Sequence, residues 1–180
     1  MLPSSLSSNI SPEDYQSVEA LLGRRPRGLA AIPVRDCDGQ PVVIQVDSLV
    51  DQKPFPTLFW LVDKQLNYAI DQLEARGFIA ELQARIDQSE ELQQMMVEDH
   101  RAYIDLRQSL IGPDQQQAID RLGFTEVLGR RGIGGIENFT RIRCLHTYYA
   151  AHLVVPNTIG ALLEQHWHNS QVTFPHLSGK

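Results

Sequence analysis

The sequence predicts an α+β domain in which a small antiparallel sheet packs on a mainly helical layer around a buried central helix. Short β-prone runs occur only in the first third of the chain, whereas helical periodicity dominates the rest. Residues 138–155 (NFTRIRCLHTYYAAHLVV) are apolar on nearly all sides when they are placed on a helix, which indicates a helix enclosed in the core. The 180 residues contain no internal repeat, so we expect one domain.

The composition is ordinary for a globular protein, with 42% hydrophobic residues, 21% charged residues and a net charge of −6. This acidic balance argues against nucleic-acid binding, which needs a basic face. No run approaches the roughly 20 apolar residues that cross a membrane, and we find no signal-peptide pattern. Two cysteines, Cys37 and Cys144, favour reduced thiols over a disulfide framework. We therefore expect a cytoplasmic protein without a membrane partner.

The N-terminal region is expected to hold one short helix before the sheet begins. Residues 1–10 are rich in serine and are predicted to be a disordered terminus. Ser11, followed by Pro12 and two acidic residues, is typical of a helix start, and Gly23 is expected to end that helix. The folded domain is predicted to span residues 11–168.

Two β-prone runs joined by a turn predict a β-hairpin. The runs are residues 28–34 and 41–46, and Asp38-Gly39 between them is a hairpin-turn signal. Pro33 restricts the first strand to a sheet edge because proline has no backbone N–H. Residues 57–62 (TLFWLV) are expected to add a third, buried strand.

Helical periodicity follows the sheet. Asp63 is expected to cap a helix that Gly77 ends, and Ser89 divides the long helical region after it. The outward side of that region is rich in Glu, Asp and Gln, which indicates a solvated face. The remaining expectations are a short helix over 115–122, a loop over 124–137, the central helix, a last helix from residue 158 that Asn157 caps, and a loose tail over 169–180.

A glycine-rich basic loop, GRRGIGG (129–135), precedes the central helix. Glycines let backbone N–H groups turn inward, and arginine forks suit phosphate or carboxylate. The loop is neither a Walker loop nor a dinucleotide fingerprint, because no Gly-Lys-Ser/Thr follows it and no strand leads into it. Solvated arginines on a plain connecting loop are the alternative. The candidate anion-binding residues are Arg130, Arg131, Gly132, Gly134 and Gly135.

One helix face carries His100, Tyr103 and Arg107, because spacings of three and four place side chains on the same side of a helix. Apolar residues share this face, so the polar tips are expected at the margin of the core or in a cleft. Arg107 could meet an anion, and His100 could titrate near neutral pH. The alternative is a structural network.

The central helix carries three residues of types that bind metals, namely Cys144, His146 and His152. On a continuous helix, Cys144 and His146 are about 200° apart around the axis, and Cys144 and His152 are about 12 Å apart along it. One ion held by these three residues alone is therefore not expected, and a metal would need ligands from other segments. Hydrogen-bonded side chains in or near the core are the simpler interpretation.

Several short blocks of the sequence form a recognisable set, namely FPTLFWL (55–61), HRAYIDLR (100–107), RGIGG (131–135), RCLH (143–146), His152 and NTIG (157–160). Together they resemble a bacterial family described as a domain of unknown function, number five hundred and one. The resemblance covers residues 23–160 and implies a small cytoplasmic bacterial protein, but it implies no activity.

Three functional hypotheses follow. The leading one is binding of a small anionic metabolite, bearing phosphate or carboxylate, in a cleft between the 129–135 loop and the 100–107 helix face. Arg107, His100 and His146 would line the wall opposite the loop, and Tyr103, Cys144 and His152 are further ligand-binding candidates. The second is an enzyme in which His146 or His100 is the general acid/base on a phosphorylated or acyl substrate, with Cys144 as a less favoured nucleophile. The third is a protein–protein adaptor that uses the acidic helices over 81–110. No cofactor can be assigned.

Overall fold

A three-stranded antiparallel sheet forms the N-terminal part of the fold in the computed structural model, which describes residues 10–177. Helix α1 (Pro12–Leu22) precedes β1 (Leu29–Arg35), β2 (Pro41–Val46) and, later in the chain, β5 (Phe59–Leu61). The strand order is β1-β2-β5, with β2 buried along its whole length. The predicted hairpin and third strand are confirmed, and Pro33 lies on an edge strand.

A second, two-stranded ribbon was not expected. It consists of β3 (Leu49–Val50) and β4 (Lys53–Pro54), joined by a turn at Asp51 and Gln52 with φ values of 50° and 59°. Neither turn residue is a glycine, so the sequence lacks the usual signal for this left-handed conformation.

Helices fill the rest of the fold. They are α2 (Lys64–Ala75), α3 (Phe78–Asp87), α4 (Glu90–Leu110), α5 (Pro113–Arg121), α6 (Thr125–Arg130), α7 (Leu145–His152) and α8 (Thr158–Asn169), with short 3-10 turns at Ile133–Gly135 and Pro175–Leu177. The predicted caps at Ser11, Asp63, Ser89 and Asn157 each accept a backbone hydrogen bond. No helix within residues 10–177 is long and apolar enough to cross a membrane.

The sheet separates two apolar clusters. One face, with Phe59 and Leu61, packs on the helices around α7, which is buried at the centre as predicted. The other face, with Ile44 and Trp60, packs on α1 through Val18. The α+β class predicted from the sequence is confirmed.

Three sequence-based boundaries need correction. The central helix is α7 alone, because residues 138–144 are irregular, with Gln83 of α3 binding the Thr140 carbonyl and the Ile142 N–H in place of helical partners. Helix α6 replaces the first part of the predicted 124–137 loop. Helix α8 ends at Asn169, one residue into the predicted loose tail over 169–180, and within that tail Phe174 packs on Trp167. Residues 1–9 and 178–180, where we expected disorder, lie outside the described residues.

Candidate metal centre

The 129–135 loop and the predicted face of α4 meet, and His100 fills the space between them. This imidazole has no exposed surface. Its Nδ1 accepts the Ile133 N–H at 2.9 Å, so Nε2 carries the proton and donates to the Tyr148 hydroxyl, also at 2.9 Å. Tyr148 donates onward to the Arg141 carbonyl at 3.0 Å, and Phe139 stacks on the ring with 4.6 Å between centroids. Burial lowers the pKa of His100 to about 4, so the ring is neutral at pH 7.

Arg107 is also enclosed and bonds only to backbone carbonyls. The residue is 1% exposed, and its guanidinium donates hydrogen bonds to Pro56 O at 2.8 Å, to Arg131 O at 2.5 Å and to Leu128 O. One turn away, the Tyr103 hydroxyl accepts the Leu58 N–H at 2.6 Å. The guanidinium thus ties the segment before β5 and the basic loop to α4.

The glycines of the loop serve close packing. A Cβ on Gly132 would lie 2.1 Å from His100 Nδ1, and Gly134 and Gly135 have φ values of 68° and 71°. The loop N–H groups of Gly132 and Gly135 bond to Ile136 O and Gly132 O. Protein groups therefore occupy the region in which the sequence suggested an anion.

The two loop arginines point to ion pairs of their own. Arg130 pairs with Glu126 at 3.2 Å, and Arg131 pairs with Glu137 at 3.5 Å. A groove of about 520 Å³ does run between α4 and the loop, but of the predicted residues it contains only Arg130. Its other charged lining residues are Arg101, Asp105 and Glu137, which leaves no net positive charge.

His152 forms a link from α7 to the start of α8. Its Nδ1 accepts the Asn157 N–H at 2.9 Å, its ring stacks on Tyr149, and Nε2 lies 3.5 Å from Glu164. A Cβ on Gly160 would lie 2.1 Å from the ring. His152 therefore does not join Cys144 and His146.

Cys144 and His146 do come together, with Glu74 of α2 as a third member. Cys144 is the N-cap of α7 and is extended, with φ −156° and ψ 121°, so the continuous-helix argument that separated it from His146 does not apply. Cys144 Sγ lies 3.7 Å from His146 Nδ1, and Glu74 Oε1 lies 3.4 Å from the same nitrogen. The three ligand atoms all lie within 4.8 Å of one another. We call this set the 74/144/146 cluster.

Hydrogen bonds fix the cluster from outside. Glu74 Oε1 accepts the Leu145 N–H at 2.7 Å, which holds the carboxylate against the first turn of α7. His146 Nε2 faces the Asn67 carbonyl and Asp71 Oδ1, both at 3.3 Å, so an Nε2 proton has acceptors there, and Nδ1 is turned toward the thiol and the carboxylate. All three members of the cluster are half-buried.

Contacts within the cluster shift the pKa values of His146 and Cys144. Burial lowers the pKa of His146, but the hydrogen bond and charge of Cys144, the charge of Glu74 and the Asn67 carbonyl raise it to about 9. Burial and the charge of Glu74 raise the pKa of the Cys144 thiol, yet His146 and the Thr147 N–H outweigh them and bring it below its ordinary value. The cluster thus gathers negative charge around one nitrogen.

A groove of about 340 Å³ borders the cluster at His146. Aromatic and aliphatic side chains of β5 form one side, and hydroxyl and amide groups supply the polar part. The lining residues are Thr57, Phe59, Trp60, Leu61, Asn67, His146 and Thr147.

Sequence analysis missed Glu74. It lies on a helix rich in polar residues, and only its spacing from Asn67 and Asp71, which places all three on one face, could have suggested a role. Nothing in that spacing indicates that the face meets residue 144.

The family comparison agrees with the resemblance of the short blocks. Residues 32–165 match a family described as a protein of unknown function (DUF501). The chain belongs to this family. No curated protein and no solved structure gives a significant match. The DUF501 segment includes the whole 74/144/146 cluster but only part of the N-terminal region.

Proposed function

We propose that this DUF501 protein binds one zinc ion through Glu74 Oε1, Cys144 Sγ and His146 Nδ1. The observation that carries the proposal is the convergence of a thiol and a carboxylate on the same imidazole nitrogen, with all three atoms within 4.8 Å. Thiolate, imidazole and carboxylate are the three ligand types that zinc takes in proteins. Cysteine in the set favours zinc over magnesium or calcium.

The spacing of the ligand atoms supports tetrahedral coordination. With Zn–S of about 2.3 Å and Zn–N of about 2.0–2.1 Å, a tetrahedral angle places sulfur and nitrogen about 3.6 Å apart, and a carboxylate oxygen about 3.4 Å from that nitrogen. The corresponding distances are 3.7 Å from Cys144 Sγ and 3.4 Å from Glu74 Oε1 to His146 Nδ1. Small rotations of the side chains would suffice to close the site.

The surroundings of His146 suit a ligand histidine. A metal-bound imidazole usually donates its other N–H to a carbonyl or carboxylate, which fixes the ring and makes it a better ligand. Asn67 O and Asp71 Oδ1 are in position to accept that proton, each 3.3 Å from Nε2.

Three protein ligands leave a fourth position for water or a small molecule, which is the arrangement of catalytic rather than structural zinc. The groove beside His146 is the space from which such a molecule would approach, and it holds the Thr57 and Thr147 hydroxyls. In this proposal the protein is a cytoplasmic bacterial enzyme or sensor, because a reducing compartment keeps Cys144 free as a ligand.

A metal-free enzyme is the second candidate. With Cys144 Sγ 3.7 Å from His146 Nδ1, the pair could act as nucleophile and general acid/base, with Glu74 orienting the imidazole. Its distinguishing behaviour is rapid alkylation of Cys144 by iodoacetamide that zinc does not slow. The anionic metabolite and the adaptor role remain predictions without a supporting contact.

Metal titration of the full chain tests the zinc proposal. We expect one equivalent of Zn²⁺ to compete with a chromophoric chelator, and Co²⁺ in its place to give a thiolate charge-transfer band. Cys144→Ser, His146→Gln and Glu74→Gln should each weaken binding, with the Co²⁺ band lost in Cys144→Ser. Cys37→Ser is the matched control, because Cys37 is the other cysteine and is exposed.

Folding must be compared in the same samples by circular dichroism. The proposal fails if folded Cys144→Ser binds Zn²⁺ as tightly as the unchanged chain, or if Cys37→Ser abolishes the band. Alkylation of Cys144 that is fast and independent of Zn²⁺ would support the metal-free enzyme instead.

A further inference from the structure

A separate cavity of about 270 Å³ lies on the face of the sheet that is turned away from the helical core. The end of α1, strand β2 and the β3–β4 ribbon enclose it. We call it the α1 cavity. Its volume is close to the lower end of the range of about 300–1,000 Å³ for small-molecule pockets, so it suits a metabolite rather than a polymer.

The floor of the α1 cavity is apolar. The Trp60 and Phe55 rings contact each other with 5.6 Å between centroids, and Ile44 and Val46 come from the buried central strand. The remaining apolar lining residues are Leu22, Pro26 and Val50.

Gly28 sets how closely the ribbon approaches. A Cβ there would lie 2.6 Å from Val50 Cγ2, and its φ of 64° also favours glycine. The ribbon wall of the cavity therefore depends on this one residue.

The rim of the cavity is positively charged in a chain whose net charge is −6. Arg24, Arg27 and Lys53 lie on it with one carboxylate, Asp51. Asp51 is already paired with Arg27 at 3.0 Å. Within residues 10–177, no carboxylate forms an ion pair with Arg24 or Lys53.

Arg24 is held over the apolar floor. Its guanidinium carbon lies 5.5 Å from the centroid of the Trp60 ring, which keeps the fork above the cavity. Among residues 10–177 nothing accepts a hydrogen bond from its N–H groups, so they can meet an anion. Lys53 lies on the same rim at the start of β4 and adds a second cation.

We propose that the α1 cavity binds a small carboxylate with an aromatic or branched apolar body. The body would lie on Trp60, Ile44 and Val50, and the carboxylate would meet Arg24 and Lys53. Trp60 also borders the groove beside His146, but Glu74, Cys144 and His146 do not line the α1 cavity, so this site does not depend on zinc. A Trp60 shift that persists in His146→Gln therefore reports on the α1 cavity. Leu22, Arg24 and Arg27 precede the DUF501 match over 32–165, so one wall lies outside the matched segment.

Phenylacetate and its neutral analogue phenylacetamide are a matched pair of probes. Because the chain has two tryptophans, its ¹H–¹⁵N spectrum should show two indole N–H signals. We expect phenylacetate to shift the Trp60 signal, to leave Trp167 unchanged, and to bind about tenfold more tightly than the amide, as expected for one charge-assisted hydrogen bond.

The variants separate the rim charge from general electrostatics. The double variant Arg24→Gln, Lys53→Gln should bind phenylacetate and phenylacetamide with about equal affinity. Arg25→Gln is the control, because Arg25 is an exposed arginine beside Arg24 that does not line the cavity. It should retain the preference.

Four results would overturn the proposal. They are equal binding of acid and amide by the unchanged chain, absence of binding by both, a shift at Trp167 alone, and a Trp60 signal that moves with protein concentration, which would identify a second copy of the chain as the occupant. His146→Gln should bind phenylacetate normally, so failure of the zinc site and failure of this site are distinguishable.

Discussion

Adding a single methyl group at Gly132 tests whether the glycine-rich loop is a packing element. In Gly132→Ala the new Cβ would lie 2.1 Å from His100 Nδ1 and 2.8 Å from His100 Cγ, distances that atoms in proteins do not tolerate. The His100 ring is fully enclosed and held at both nitrogens, so it has no free space to move into. Either the imidazole or the loop must shift.

The cost can be worked from the contacts that are lost. Overpacking a well-packed site costs about 1–3 kcal/mol. If the imidazole moves, the Ile133 N–H and the Tyr148 hydroxyl lose their partner, and an unsatisfied buried group costs about 1–3 kcal/mol. We therefore expect Gly132→Ala to lower the free energy of unfolding by about 3–5 kcal/mol, a large part of the roughly 5–15 kcal/mol of a typical domain.

Urea unfolding followed by circular dichroism measures this loss, and Gly129→Ala, three residues earlier in the chain, is the matched control. A Cβ at Gly129 meets nothing within 4 Å, and the residue lies in the last turn of α6. Alanine should be neutral there or stabilise by up to about 1 kcal/mol. Equal stability of Gly132→Ala and the unchanged chain would refute the packing role of the loop, as would a larger loss in Gly129→Ala.

Three further predictions concern buried arginine and histidine side chains. Arg107→Met should lower the free energy of unfolding by about 3–5 kcal/mol in a urea titration, because three backbone carbonyls lose their donor. If the variant keeps full stability but loses binding of an anionic metabolite, the result would instead support a binding cleft between the loop and α4. Gly160→Ala should cost about 2–4 kcal/mol in the same assay, because its Cβ would lie 2.1 Å from His152 Cγ, whereas Gly112→Ala, with nothing within 4 Å, should change stability little. Folding lowers the pKa of His100 from an ordinary value of about 6.5 to about 4, so on acidification the unfolded chain takes up this proton before the folded protein does. The free energy of unfolding should therefore decrease by about 3 kcal/mol as the pH falls from above 6.5 to 4. In His100→Gln the urea midpoint should be lower at pH 7 but should depend less steeply on pH between pH 6.5 and 4. If the pH dependence of the midpoint is the same as in the unchanged chain, His100 is not the group responsible.

The local signals in the sequence predicted the fold well where they act alone. Ser89 and Asn157 cap helices as expected, and the Asp38-Gly39 turn joins β1 to β2. The start of the central helix was predicted wrongly because the deciding partner is distant in sequence. Gln83 satisfies backbone groups of residues 140 and 142 from another helix, and no pattern within 138–144 reveals this.

The same limit applies to the candidate site. The sequence indicated that imidazoles in or near the core would need partners, and the structure provides them for His100, His152 and His146. Helical periodicity separated Cys144 from His146 by about 200°, and the extended backbone at residue 144 removes that separation. Glu74 could not be found, since its position beside α7 depends on tertiary packing.

The partners of the three histidines explain why only one of them marks a candidate site. Both ring nitrogens of His100 bond to uncharged groups, and His152 bonds to the Asn157 N–H through Nδ1 while its Nε2 faces a single carboxylate, Glu164. Neither ring brings two anionic groups to one nitrogen. At His146 one nitrogen faces both Cys144 and Glu74, which lie within 4.8 Å of each other. If both are ionised, they repel by about 3 kcal/mol at an effective dielectric constant of about 20. A divalent cation at that nitrogen would turn this repulsion into attraction to both ligands, which is why we place zinc there and nowhere else along α7.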